Sequence, residues 1–138
     1  MRQWSHLLNV QTPGVGLYEV TDQVAGWVRQ TGAVEGLLTV LCRHTSASLT
    51  LQENAAPAVQ RDIRRWLDRL APENAGYEHD EEGPDDMPAH LKAMLTGVNL
   101  SIPVIGGRLA LGIWQGIYLI EHRRAAHRRC LALHLIGE

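Results

Sequence analysis

Phenylalanine is absent from the chain, so aromatic packing rests on four tryptophans and three tyrosines. Cysteine is scarce: Cys42 and Cys130 both lie in apolar, strand-like runs, where thiols in a reducing compartment are expected as small buried hydrophobes and not as a disulfide. Long uninterrupted apolar runs are missing, and MRQWSHLLNVQTPG at the start offers only a short broken one. That pattern suits neither a signal peptide nor a membrane span, and makes the cytoplasm the expected location. Excess charge is lacking as well. A net charge of -2 gives no general attraction for nucleic acid, and the basic stretch near the end has no interleaved aromatics.

What is present is an ordinary globular composition, 45% hydrophobic and 20% charged over 138 residues, which suits one domain over 1–138 with one core. Gln3 to Val10 and Val15 to Val20 are short apolar segments around Gln11-Thr12-Pro13-Gly14, which predicts a β-hairpin. Val24, Trp27 and Val28 recur at helical spacing behind the candidate caps Thr21 and Asp22, and Gly32 ends that helix. Gly36 to Arg43 is almost wholly apolar and predicts a central strand covered on both faces, delivering His44 at its end. Val59, Ile63, Trp66, Leu67 and Leu70 form the stripe of a second helix, closed by Pro72.

Residues 71 to 86 carry breakers and few core formers, as expected of a long exposed loop. A third helix from about Met87 to Leu95 follows, with Asp85 or Asp86 as cap and Pro88 in its first turn. Val98 to Val104, Arg108 to Leu111, Trp114 to Glu121 and Arg129 to Ile136 predict an antiparallel meander. Segregated helices and strands indicate an α+β fold, with about three helices on one side of a largely antiparallel, sandwich-like sheet system.

Four segments could carry chemistry. His44-Thr45-Ser46-Ala47-Ser48 places an imidazole beside hydroxyls at a strand end, fit to bind a metal, move a proton or hold an anionic oxygen, or else to satisfy a turn. From His79 to His90 two imidazoles and five carboxylates occur within twelve residues, a mixture suited to zinc, manganese or magnesium, although acidic loops are often just solvated. Gly112-Ile113-Trp114-Gln115-Gly116 offers a stacking ring and an amide on a strand, or simply a packed tryptophan. Glu121 to Arg129 is a basic cluster at a hairpin end, where Arg forks match phosphate or keep an exposed turn soluble.

Taken in order, His44-Thr45-Ser46-Ala47-Ser48-Leu49-Thr50 with Glu53-Asn54, then Tyr77-Glu78-His79-Asp80, Asp85-Asp86-Met87-Pro88-Ala89-His90, Leu111 to Tyr118 and Glu121-His122-Arg123 closely resemble the YjbQ family, also called secondary thiamine-phosphate synthases. The resemblance implies a sandwich-like single domain, assembly as a homotrimer, and a weak thiamine-phosphate synthase activity. That reaction joins a pyrimidine carrying a pyrophosphate leaving group to a thiazole phosphate, so the small phosphorylated heterocycle is the expected partner and stabilised leaving-group charge the main requirement.

On this reading a divalent metal, zinc or magnesium, is held by His79, His90 and either His44 or Asp86. Thr45, Ser46, Asp86 and Glu121 join His44 as candidate catalytic residues, while Ser48, Glu53, Asn54, Trp114, Gln115 and Arg123 are candidates for gripping substrate and phosphate. One departure stands out: Ile113 occupies the position where the family pattern has Thr, either removing a hydroxyl from the site or facing the core. Two other readings use the same residues: metal-dependent hydrolysis of a small phosphorylated or acyl metabolite, and a non-catalytic metal- or ligand-binding module.

Overall fold

The computed structural model describes all residues from Met1 to Glu138 and contains eight strands and three helices in one α+β domain. In chain order these are β1 (Arg2–Thr12), β2 (Gly16–Glu19), α1 (Thr21–Thr31), β3 (Gly36–Cys42), β4 (Ala47–Glu53), α2 (Pro57–Leu70), α3 (Asp86–Thr96), β5 (Asn99–Ile105), β6 (Arg108–Leu109), β7 (Gln115–Glu121) and β8 (His127–Gly137). The strands form two antiparallel sheets, one ordered β1-β8-β3-β5-β6 and the other β2-β7-β4.

Period-two alternation sets the inner face of the larger sheet. Leu38, Val40, Ile102, Val104, Leu131, Leu133 and Leu135 point inward and meet Ala47, Leu49, Ile117 and Leu119 of the smaller sheet. Val24 and Val28 of α1 complete the same core, so α1 belongs with the sheets, while α3 lies on β4. Gly32, at φ 73, ends α1 in the left-handed conformation that glycine adopts without steric cost. Cys42 is buried and unpaired, as is the half-buried Cys130, and burial pushes the Cys42 thiol up to about 11.

The helix ranges agree with periodicity, but several pairings do not. β1 and β2 form no hairpin: β1 pairs with β8 and β2 with β7, in different sheets. The expected C-terminal meander reduces to a β5–β6 hairpin, because β7 crosses to the smaller sheet and β8 returns to the larger one. Strand β3 is central but covered on one face only, leaving Leu37 and Leu41 more than 40% exposed; the strand buried on both faces is β7.

Neither expected cap acts as one. Val20 occupies the N-cap of α1, and the Thr21 hydroxyl instead accepts from the Ile117 amide and donates to Glu19. Of the α2 stripe only Leu67 is fully buried, with Trp66 and Leu70 about half exposed.

Candidate metal centre

Helix α3 begins at Asp86 and carries His90 one turn later on the same face, since residues four apart stack along a helix. The preceding loop folds back so that His79 Nε2 lies 2.9 Å from Asp86 Oδ2, and His90 Nε2 lies 3.1 Å from that same oxygen. One ligand atom from each of His79, Asp86 and His90 lies within 4.8 Å of the other two. The Nδ1–H of His90 donates to the Thr45 carbonyl at 3.0 Å, which fixes the ring and leaves Nε2 as the atom with a lone pair in the neutral imidazole.

Arg123 holds the remaining parts of this array. Its guanidinium donates to Asp86 Oδ1 at 2.8 Å, to Asp85 Oδ2 at 3.1 Å and to the Glu82 carbonyl at 2.9 Å. Asp85 also accepts from the Arg124 amide, and Asp85 makes no side-chain cap to α3. Burial opposes the charged form of Asp86, but the His79 hydrogen bond and the charges of His90 and Arg123 outweigh it and hold the carboxyl below its ordinary range. The same contact, first of its causes, raises His79 above the usual imidazole value.

Other expected site residues fall elsewhere. His44 Nε2 accepts from the Cys130 amide at 2.8 Å and takes no part in the histidine–carboxylate cluster; burial, with Arg129 nearby, lowers its pKa. Thr45 reaches the cluster through its carbonyl, and the Ser46 hydroxyl accepts from Arg129 at 3.0 Å. Glu121 is fully buried and bound by Arg129, Thr12 Oγ1 and the Arg123 amide. Its carboxyl stays below the usual range because these partners overcome desolvation. Its side chain is inaccessible to solvent in this chain and is ion-paired with Arg129.

Glu53, Asn54, Trp114 and Gln115 sit at the far end of the smaller sheet, where Glu53 pairs with Gln115, whereas Ala47 pairs with Glu121 at the end nearer the cluster. Six residues of strand separate those ends by about 20 Å. Residues 112–114 form a turn and no strand; Gln115 Oε1 accepts from the Gly112 amide, and Glu53 Oε2 from the Ala56 amide. Ile113 does not face the core: it is 87% exposed, and Trp114 is 64% exposed.

Sequence reasoning gave His122 no role of its own, seeing it within a basic run and within the Glu121-His122-Arg123 motif. The ring is buried between the sheet and α3, with Nε2 2.8 Å from Ser48 Oγ, and Ser48 Oγ is 2.6 Å from Thr96 Oγ1. Burial, reinforced by Lys92, pushes His122 down to about 4. A histidine depressed in the folded state binds fewer protons than the unfolded chain between the two pKa values, so stability falls as pH drops from 6.5 to 4. The expected loss from this one residue is about 3 kcal/mol, read by urea unfolding at both pH values. The His122→Asn variant should lack that part of the slope; an identical slope would remove His122 as its source.

These features define an α+β domain of two stacked antiparallel sheets with a two-histidine, one-carboxylate cluster at one edge. The chain belongs to the UPF0047 protein YjbQ-like family, whose pattern matches residues 6–138. It is 48% identical to the UPF0047 protein YjbQ of Salmonella typhimurium, covering 89% of this chain and 90% of that protein. Over 99% of this chain and 94% of the other it is 44% identical to a UPF0047 protein of Synechocystis. A solved YjbQ/UPF0047 structure from Clostridium acetobutylicum superimposes with a TM-score of 0.82 at 33% identity, covering 96% and 99% of the two chains. One from Sulfolobus solfataricus, at 23% identity, shares the fold with a TM-score of 0.89 over 99% and 100%.

Proposed function

We propose that this protein is a divalent-metal-dependent enzyme of small phosphorylated metabolites, with thiamine-phosphate synthesis as the first reaction to test. The observation that carries this reading is the convergence of His79, Asp86 and His90, with His90 oriented through its second nitrogen by the Thr45 carbonyl. Two imidazoles and one carboxylate suit zinc better than magnesium, and three protein ligands leave a position for substrate. A bound cation would supply positive charge to phosphate oxygens. Asp86 would be held anionic by Arg123, whose three guanidinium nitrogens are all engaged within the protein; Arg123 therefore positions the cluster and does not itself grip phosphate.

Metal analysis of protein made without a histidine tag tests the site. Stoichiometric metal is expected in the unaltered chain, with loss of both metal and turnover in the His79→Ala, His90→Ala double variant. No metal after loading would sink the reading, and phosphate release without condensation of the two heterocycles would redirect it to hydrolysis.

The assembly we propose with it is a homotrimer. Ile113 and Trp114 are exposed at the end away from the cluster, and Leu7, Leu37, Leu41, Ile105 and Ile136 leave an apolar outer face on the larger sheet. A neighbouring copy would cover such surface and could bring Trp114 and Gln115 toward a ligand that one chain alone cannot span. Light scattering should give a mass near three times 15.3 kDa, and a monomer at micromolar concentration would reject it.

A further inference from the structure

A cavity of about 550 Å³ lies beside Asp85, lined among others by Arg64, Lys92, Arg124 and His122. Its size is that of a small-molecule site, about 300 to 1,000 Å³. The hydroxyl chain beneath it fixes which nitrogen of His122 carries hydrogen. Thr96 Oγ1 lies 2.8 Å from the Lys92 carbonyl, which can only accept, so the Thr96 hydrogen goes there. The Ser48 hydrogen must then go to Thr96, and the remaining contact, Ser48 to His122, has to be donated by His122 Nε2–H.

Nδ1 is consequently left with its lone pair. It makes no hydrogen bond within the protein, yet no fully buried polar side-chain atom lacks a partner, so Nδ1 must open to the cavity that the ring lines. His122 is only 4% exposed, which makes this a buried acceptor aimed into a polar cavity.

Around it the charges nearly cancel. Lys92 pairs with Asp68 at 2.6 Å, Arg124 with Glu73, and Asp85 with Arg123, which it shares with Asp86 outside the lining. Arg64 has no ion-pair partner in the chain, so its guanidinium is the cation of the lining free to meet an anion. The walls thus offer donors for an oxyanion together with one acceptor that only a hydrogen-bearing group can satisfy.

We propose that this cavity binds a phosphate group that carries its own proton, with Arg64, Lys92 and Arg124 holding the anionic oxygens and His122 Nδ1 accepting the P–O–H hydrogen. Sulfate has the same shape and charge class but no hydrogen at neutral pH, so it would set an oxygen lone pair against the Nδ1 lone pair. Setting two acceptors against each other at the buried His122 ring disfavours sulfate by at least about tenfold. The Asp68 and Glu73 carboxylates add to the same preference.

The inference is independent of the metal, and its test uses full-length protein freed of metal by chelator, so failure of one leaves the other standing. Calorimetric titration at pH 7 with inorganic phosphate and with sulfate should show phosphate binding at least about tenfold tighter. His122→Asn should bring phosphate down to the sulfate level. Arg64→Gln, at an exposed position, should weaken both anions several-fold and leave their ratio unchanged. As a readout that does not require the buried variant to fold, phosphate should shift the ring ¹⁵N resonances of His122 in the unaltered protein at concentrations where sulfate leaves them unmoved. Equal affinity, no binding, or His122 resonances unmoved by saturating phosphate would overturn the proposal.

Discussion

Arg129→Met should lower the free energy of unfolding by about 3 to 5 kcal/mol, more than an average substitution. The guanidinium donates through Nε to Glu121 Oε1 at 2.6 Å, and through a terminal nitrogen to Glu121 Oε2 at 2.5 Å and to Ser46. Glu121 is fully buried, so removing its counter-charge leaves a carboxylate in a low-dielectric interior with only Thr12 Oγ1 and the Arg123 amide as donors. The folded protein would respond by protonating it.

The sign of the pH response distinguishes that outcome from a general loosening. In the unaltered chain the Glu121 pKa is depressed, and its contribution is present above the unfolded value and lost as pH falls. In Arg129→Met the folded-state pKa would rise above the unfolded one, so the deficit should grow as pH rises from about 4. Urea unfolding across pH 4 to 8 reads this directly. The double variant Glu121→Gln, Arg129→Met should regain part of the loss, because it removes the orphaned charge. A deficit below about 1 kcal/mol in Arg129→Met, independent of pH, would show that the pair is not what holds the end of β7 and Ser46 to β8.

The second large effect is expected at Asp86. Both imidazoles approach its Oδ2, and Arg123 holds Oδ1, so this one carboxylate joins the loop, α3 and the segment after β7. Asp86→Asn keeps the shape and removes the charge. Affinity for zinc, measured by competition with a chromophoric chelator, should fall by at least about a hundredfold, the upper end of what disturbing supporting residues alone costs at a metal site. Unchanged affinity would exclude Asp86 as a ligand.

How much of this could be read beforehand depended on the range of the interaction that decides it. The helices were legible because Val24, Val28, Val59 and Leu67 carry a local period of 3.6, and Gly32 and Pro72 mark ends within a few residues. Strand partners were not, since alternation says which residues share a face and nothing about which strand lies alongside. The turn Gln11 to Gly14 looked like a hairpin, yet the chain there steps from one sheet to the other. His79 and His90 were recognisable by residue type within a short window. The fate of His44 was decided by a backbone amide 86 positions away, and that of His122 by Ser48 and Thr96, contacts that no local pattern announces.

The order of the larger sheet bears on how the protein comes to be made. Strand β8 lies between β1 and β3, pairing with β1 from Arg2 opposite Gly137 to Thr12 opposite His127, and with β3 from Gly36 to Cys42. It is also the last of the eight strands to leave the ribosome. Until it arrives, β1 and β3 both present unpaired edges, and the Glu121 carboxylate waits for Arg129. Assembly of the larger sheet is thereby deferred until β8 has emerged, with the slow kinetics of distant pairings and two open strand edges exposed in the meantime.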